Sequence, residues 1–107
     1  MVSNDYSFTR HANDDLDEIL SYISFSLANP KAAKDFFDHV FATIDRLCLF
    51  PKSCQIVENS HIRRNDVRKA IVDNYNLYYV YESQKCTVFI LRIVYGKRNV
   101  AEIMKNL

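Results

Sequence analysis

An asparagine–proline pair at positions 29 and 30 divides the N-terminal half of the chain into two helical segments. Asn29 is a favoured N-cap residue and Pro30 suits the first position of a helix, so the pair predicts that one helix ends before it and another begins at it. Apolar side chains recur at helical spacing over residues 12–27 and again over residues 30–50, and Pro51 ends the second run. Two helices joined by so short a link pack antiparallel, which predicts an α-hairpin.

The spacing of apolar side chains changes after residue 51 from that of helices to that of strands. Residues 67–72 alternate, which is typical of a half-buried strand. Residues 75–82 and 86–95 are rich in Tyr, Val and Ile and suit central strands covered on both faces. Residues 83–85 are short enough to join these two strands as a hairpin loop.

Two short segments complete the predicted sheet: residues 6–9 as an edge strand and residues 53–57 as a further candidate strand. The helices are segregated from most of the strands, which is the pattern of an α+β fold. We therefore expect an N-terminal antiparallel α-hairpin packed on one face of a three- to five-stranded, mainly antiparallel, twisted sheet. The length of 107 residues predicts a single domain, 1–107.

The single glycine, Gly96, stands where the last predicted strand ends. A residue that can adopt a positive φ is useful where the backbone turns sharply away from a sheet, so we expect that conformation here. Lys97 and Arg98 follow it directly, which places two cations on the predicted turn.

Composition narrows the class of protein. The three cysteines, Cys48, Cys54 and Cys86, are an odd number at scattered spacing, which argues against a disulfide framework or a zinc site and favours reduced thiols. No apolar run approaches the roughly 20 residues of a membrane span, and the N-terminus has no apolar signal core. We expect a cytoplasmic protein with no membrane partner, metal or cofactor.

Charge is distributed unevenly along the chain. Residues 1–50 carry four basic and eight acidic side chains, a net charge of −4, whereas residues 51–107 carry ten basic and five acidic ones, a net charge of +5. The C-terminal half could thus face an acidic partner or nucleic acid, although an imbalance without function is also possible on these numbers. The acids of the first helix, which we expect to face its positive N-terminal end, are Asp14, Asp15, Asp17 and Glu18.

The order of these segments, with particular residues in them, resembles the RelE/ParE superfamily of toxins over nearly the whole chain. Each matching piece is weak alone, but together and in this order they are fairly specific. The family's Ala-x-x-Asp-Leu-x-x-Ile opening of the first helix is matched by residues 12–19. The remaining pieces are residues 47–51, Arg68 with Val72, Tyr75 with Tyr79, residues 88–93 and residues 95–98.

The resemblance implies the toxin of a type II toxin–antitoxin system, held inactive by a cognate antitoxin in a hetero-oligomer. RelE-like members are mRNA endonucleases that act in the ribosome. ParE-like members inhibit DNA gyrase and are not known as nucleases, and other relatives are non-toxic or lack a known target. The residues of this chain have to decide among these three.

The match to the RelE-type catalytic residues is partial. Metal-free RNA cleavage needs a base, an acid and cations on the phosphate. Arg98 matches the family's Gly-Lys-Arg, and Arg68 or Lys69 matches its basic strand position. However, Asn76 stands where an Arg is expected and Met104 where a Tyr is expected. No residue is therefore assigned as catalytic outright, and the resemblance favours gyrase inhibition over RNA cleavage.

Histidine could supply the missing acid or base, because its pKa lies near neutrality. His61 lies in a polar loop beside two arginines and would join Arg68, Lys69 and Arg98 in a nuclease, although a solvated side chain is the commoner role of such a histidine. His11 and His39 have acidic neighbours on or near the helices, and we interpret them as surface residues.

Two binding surfaces are expected under every interpretation. For the target, whether gyrase or the ribosome with mRNA, we predict a positive cluster of Arg68, Lys69, Arg92, Lys97 and Arg98. For the antitoxin, we predict that the helix-free face of the sheet leaves an apolar area exposed, as partner sites often do. The resemblance supplies an acidic or amphipathic C-terminal antitoxin segment that folds on this face. The antitoxin-binding residues predicted there are Tyr78, Val80, Val88, Ile90 and Arg92.

Overall fold

The computed structural model describes residues 3–58 and 64–98. Strand β1, Asp5–Phe8, leads into helix α1, Arg10–Ser21, which continues as a π-helical turn, Tyr22–Ser26. Helix α2, Pro30–Leu49, completes the α-hairpin. The later strands are β2 at Arg68–Val72, β3 at Tyr75–Glu82 and β4 at Thr87–Tyr95, with a 3₁₀ turn at Ser83–Lys85 between the last two.

Side-chain caps set where both helices begin. The Asn29 side chain accepts a hydrogen bond from the Ala32 amide, so the predicted restart at Pro30 is confirmed. Thr9 caps α1 in the same way by accepting from the Ala12 amide. The predicted first helix, residues 12–27, thus begins two residues earlier than expected and ends in a π-helical turn.

The early start of α1 corrects the interpretation of its acidic residues. Because Thr9 is the N-cap, the first turn of the helix contains no carboxylate. The acids at positions 14–18 lie one turn or more into the helix, where the helix dipole has largely fallen off. Asp15 has a different role, which is described with the candidate site.

The sheet is mainly antiparallel, as predicted, with strand order β1-β4-β3-β2. β2 and β3, and β3 and β4, pair antiparallel, whereas the edge strand β1 pairs parallel to β4 from Asp5 opposite Thr87 to Phe8 opposite Ile90. The candidate strand 53–57 is reduced to a single bridge, Ile56 opposite Arg68. A register shift at Tyr78/Tyr79 bends the central hairpin.

The core lies on both faces of the sheet. On the helix side, Phe36, Val40, Ile44 and Leu47 of α2 pack against alternate residues of β3 and β4, including Tyr79. On the opposite face, a smaller cluster is formed by Val67, Tyr78, Val80 and Val94. Two-sided burial explains why the last two strands read as nearly continuous apolar runs.

The expectation for Gly96 is wrong, because its φ is not positive. Its amide donates to the Asn74 carbonyl at 2.9 Å, and a Cβ at this position would lie 3.2 Å from that same oxygen. Close backbone approach is therefore what favours glycine here. The positive φ values occur at Ala28, Asp73 and Cys86 instead.

All three cysteines are free thiols: Cys48 is buried, Cys54 half-buried and Cys86 exposed. Among the described helices, none has the length and apolar character needed to cross a membrane.

Candidate functional site

The edge of β4 that faces away from β3 is hydrogen-bonded to β1 in its first half and to a side chain of α1 in its second half. Near β1 the edge is closed by Thr9, whose amide donates to the Ile90 carbonyl at 3.0 Å and whose hydroxyl donates to the Leu91 carbonyl at 3.0 Å. Beyond that point Asp15 of α1 takes over, and its carboxylate accepts the Ile93 amide at 3.0 Å. The helix thus terminates strand pairing and satisfies the exposed edge with a side chain.

The same carboxylate holds Arg92. Arg92 Nε and Nη2 donate to the two Asp15 oxygens at 2.7 and 3.0 Å, and the side chains are only 14% and 10% exposed. Hydrogen bonding to Asp15 raises the pKa of Arg92 further above its ordinary value. The prediction that Arg92 is an exposed cation for target or antitoxin is therefore corrected: in this structure its side chain is paired and largely buried.

Arg68 and Lys69 point to opposite faces of β2, because they are consecutive residues of a strand. Arg68 pairs with Tyr79 of the helix-side core, and its guanidinium donates to the Cys54 carbonyl at 2.6 Å. Lys69 pairs with Tyr78 and is exposed on the helix-free face. Only Lys69 of this pair offers a solvated charge on the face that we predicted for binding.

Lys97 and Arg98 lie on the exposed turn after β4, where the Arg98 amide donates to the Tyr95 carbonyl at 3.0 Å. Gly96 bonds to Asn74, so this turn lies beside the β2–β3 turn and Lys69 lies further along β2. The five predicted target-binding cations are thus spread along the sheet and do not form one cluster. His61 and Met104 lie outside the described residues.

The predicted antitoxin-binding residues are not an exposed surface. Val88 and Ile90 belong to the helix-side core and are completely buried. Tyr78 and Val80 do face the opposite side, as predicted, but they are only 1% and 2% exposed. An uninterrupted apolar strand carries no alternation from which its two faces could be assigned.

Exposed apolar side chains occur elsewhere. Ile71 of β2 is 67% exposed, and Phe25 on the π-helical turn is 81% exposed. The other large apolar side chains with substantial exposure are Tyr6, Tyr22, Leu27, Phe37, Leu49, Phe50, Ile56 and Tyr95.

Ile56 and Ile71 flank an open groove along the β2 edge, which we call the β2 groove. It is lined by Arg46 and by residues 53–58 and 68–71, and its volume is about 1190 Å³. The Lys69 amide donates to the Gln55 carbonyl at 3.3 Å, and among the described residues this is the last backbone hydrogen bond between residues 55–57 and the edge of β2. Since alternate residues of a strand direct their amides to the same edge, the Ile71 amide faces this groove.

A second depression, which we call the aromatic cleft, lies between α1 and the end of β4. It has a volume of about 270 Å³ and is lined by Asp15, Glu18, Ile19, Tyr22, Tyr75, Ile93, Val94, Tyr95 and Arg98. Asp15, Glu18 and Ile19 of α1, with Tyr22 at the start of the π-helical turn, lie at helical spacing and so share one face. Sequence reasoning missed this site, although that spacing and the tyrosines at the two strand ends were visible signals.

Three tyrosines form much of the cleft. The Tyr75 and Tyr95 rings meet edge to face with centroids 5.7 Å apart, as cross-strand neighbours. Burial raises the pKa of Tyr75, and the nearby hydroxyls of Tyr22 and Tyr95 add to the effect. Tyr75 is therefore a neutral hydroxyl at physiological pH, able to donate and accept hydrogen bonds.

Within residues 3–58 and 64–98, no group of three or more His, Cys, Asp or Glu side chains is placed to hold a metal ion. Of the residues proposed for a nuclease, Arg68 is bound to a carbonyl, Lys69 faces the other side of the strand, and Arg98 lies on a separate turn. Within the described part of the chain, Arg68, Lys69 and Arg98 are therefore not brought to one point.

Comparisons with known proteins agree with this fold. The family model described as the ParE toxin of the type II toxin–antitoxin system parDE matches residues 6–100. A search among curated protein sequences finds no significant match.

Three solved structures share the fold at low sequence identity. A chain of the chromosomal ParDE toxin–antitoxin system of P. aeruginosa aligns with a TM-score of 0.69 and 18% identity, covering 89% of this chain and 98% of that one. A chain of the RelBE2 toxin–antitoxin complex of Mycobacterium tuberculosis aligns with a TM-score of 0.60 and 20% identity, covering 88% of this chain and 99% of that one. A chain of the archaeal RelE–RelB complex of Pyrococcus horikoshii OT3 aligns with a TM-score of 0.58 and 14% identity, covering 92% of this chain and 100% of that one.

The structural likenesses support the α+β architecture, and the family model covers most of the chain. The protein belongs to the ParE toxin family of type II toxin–antitoxin systems, within the RelE/ParE superfamily.

Proposed function

We propose that this toxin acts in the cytoplasm by binding and inhibiting DNA gyrase. The observation that carries the proposal is the ParE family match over residues 6–100. The geometry supports it, because inhibition by binding needs a complementary surface and no catalytic constellation. The guanidinium of Arg68, one of the cations proposed for a metal-free nuclease, is already bound to the Cys54 carbonyl.

Exposed cations remain available for target contact. Lys69 on β2 and Lys97 and Arg98 on the turn after β4 are exposed, and all three belong to the positively charged C-terminal half of the sequence. Charged rim contacts of this kind chiefly steer association and set its rate. We propose these three residues as the target-binding subset of the five that the sequence suggested.

We propose that the antitoxin binds in the β2 groove. The solved relatives are described as ParDE and RelBE toxin–antitoxin complexes, which supports an antitoxin partner. An extended segment could add to the β2 edge beyond Lys69, with apolar side chains over Ile56 and Ile71. Arg46 and Lys69 on the groove favour an acidic or amphipathic segment.

An expression experiment tests this function. The toxin is induced with its antitoxin supplied or withheld, followed by a supercoiling assay with purified gyrase and by mapping of mRNA ends. We expect growth arrest without antitoxin, loss of supercoiling activity and intact mRNA. Transcripts cut within codons would replace the proposal with a ribosome-dependent endonuclease, and unimpaired growth would indicate a non-toxic antitoxin-binding relative.

A further inference from the structure

We propose that the aromatic cleft is a binding site for a guanosine phosphate. The cleft combines aromatic walls, a carboxylate and a guanidinium within about 270 Å³. Small-molecule sites usually start at roughly 300 Å³, so this open cleft lies just below that range and would leave part of a bound nucleotide in solvent. The site lies apart from the β2 groove, and the two share no lining residue.

The tyrosines provide a place for the base. Tyr75 and Tyr95 present an edge-to-face pair, and Ile19, Ile93 and Tyr22 line the cleft beside it. Every nucleobase has a π-face that stacks on such rings, so this part of the cleft favours an aromatic ligand without selecting which one. The half-exposed Tyr22 ring is free to move against a base, since more than half of its surface is in solvent.

Glu18 provides the selectivity. The other carboxylate in the cleft, Asp15, already accepts from Arg92 and from the Ile93 amide. Glu18 is exposed, and its charge contributes to raising the pKa of Arg92, but it forms no ion pair with another described side chain, so its oxygens are available to a ligand. A carboxylate only accepts hydrogen bonds. Guanine offers two adjacent N–H donors on its Watson–Crick edge, whereas adenine offers an acceptor there, so Glu18 favours guanine.

Arg98 provides the anion contact. It lines the cleft from the turn after β4, and Lys97 precedes it. A guanidinium can bind two phosphate oxygens at once, and it stays charged at every physiological pH. The cleft thus offers a hydrogen-bond acceptor in Glu18, aromatic rings and a cation in Arg98, which are the three kinds of group that a guanosine phosphate needs.

The same chemistry could come from a free guanine nucleotide or from a guanosine within single-stranded RNA. The inference does not depend on which target the toxin inhibits. It is tested by direct binding, so its failure leaves the gyrase proposal standing, and the failure of gyrase inhibition leaves this site standing.

The test is calorimetric titration of the full-length toxin with GMP, AMP and guanosine. We expect GMP to bind about tenfold more tightly than AMP, which is the discrimination that one well-placed bidentate contact supplies. Glu18→Gln should abolish that preference, because the amide presents a donor as well as an acceptor. Arg98→Ala should weaken GMP by about tenfold and leave guanosine unchanged. Tyr22→Ala should weaken all three ligands.

Phe25→Ala is the matched control, since Phe25 lies on the same π-helical turn as Tyr22, is exposed, and does not line the cleft. It should bind GMP as the wild type does. Short single-stranded RNAs with or without one guanosine then distinguish the two sources: binding of GMP alone indicates a free nucleotide, and tighter binding of the guanosine RNA indicates RNA.

Equal affinity for GMP and AMP, GMP binding that survives both Glu18→Gln and Arg98→Ala, or no saturable binding at millimolar nucleotide would each overturn the proposal. Circular dichroism spectra of each variant establish that it is folded, which the exposure of Glu18, Tyr22 and Arg98 leads us to expect.

Discussion

Arg92 of β4 and Asp15 of α1 lie 77 positions apart in the sequence and form a bidentate ion pair, with Nε–Oδ2 at 2.7 Å and Nη2–Oδ1 at 3.0 Å. The pair joins the first helix to the last strand at the point where β1 ends. Because Asp15 also accepts the Ile93 amide, one carboxylate fixes both the helix and the sheet edge. This relationship explains how the α-hairpin is held in register with the sheet.

Replacing Asp15 should destabilise the fold strongly. Asp15→Ala leaves the largely buried Arg92 charge and the Ile93 amide without their partner, and breaking such a pair costs about 3–5 kcal/mol. Urea denaturation measures the free energy of unfolding. Asp38→Ala is the control, because Asp38 pairs with Lys34 on the surface and should change that free energy by less than about 1 kcal/mol.

The size of the Asp15 effect depends on the unpaired charge. The double variant Asp15→Leu with Arg92→Met should therefore recover much of the lost stability, because no buried charge remains. A double variant as unstable as Asp15→Ala would mean that the Ile93 contact, and not the ion pair, fixes the helix to the edge.

The stability of the fold should depend on the protonation of His39. Its Nδ1 lies 2.9 Å from Asp73 Oδ2, and the hydrogen bond to Asp73, followed by the charges of Asp73, Asp35 and Asp38, raises the pKa of His39 above 6.5. Since the folded-state pKa is the higher one, the stabilisation is fully present below pH 6.5 and is lost as the pH rises through the folded-state pKa.

The measurement for His39 is the free energy of unfolding of the wild type and of His39→Gln at several pH values between about 5.5 and 8.5. The wild type should exceed the variant by more at the acidic end than at the alkaline end. Other groups titrate alike in both proteins, so the difference isolates His39. A difference that does not change with pH contradicts the prediction.

The β2 groove yields a prediction for antitoxin binding. Ile71→Asp places a charge on the proposed apolar contact, and the antitoxin's dissociation constant should rise at least about tenfold, as for the loss of an apolar anchor. The native Ile71 side chain is 67% exposed, so the fold should tolerate the change. Leu27→Asp on the α-hairpin connection is the matched control. An equal effect of both variants on the dissociation constant would contradict antitoxin binding in this groove.

Target contact should depend on the turn after β4. Lys97→Glu reverses an exposed charge, and we expect several-fold weaker inhibition of gyrase supercoiling, mostly through slower association. Antitoxin binding and the unfolding free energy should stay close to those of the wild type. Lys31→Glu on α2 is the charge-matched control; inhibition that falls equally in both variants would reflect net charge and not this turn.

Much of the architecture follows from local signals in the sequence. Asn29 and Pro30 determine where the second helix begins because their effects, a side-chain cap and a fixed φ, act within one turn. The alternating and apolar runs located β2, β3 and β4 to within a residue or two, and the ordered pieces of the family pattern indicated the superfamily.

The site could not be read as fully, because a continuous apolar strand does not reveal which face each residue occupies. The predicted surface residues Val88 and Ile90 proved to be core, and Arg92, a cation in sequence, proved to be the partner of a helix carboxylate. The aromatic cleft likewise joins Tyr22 to Tyr75 and Tyr95, which are distant in the chain.

The sequence by itself determined the start of the second helix, the strand segments and the family, since each depends on residues that are close together along the chain. The tertiary structure decided which charges are paired, which tyrosines meet and which apolar side chains reach solvent. The physical reason is that burial and pairing depend on how separate elements pack: the same Arg92 would be a solvated cation if α1 did not bring Asp15 to the edge of β4.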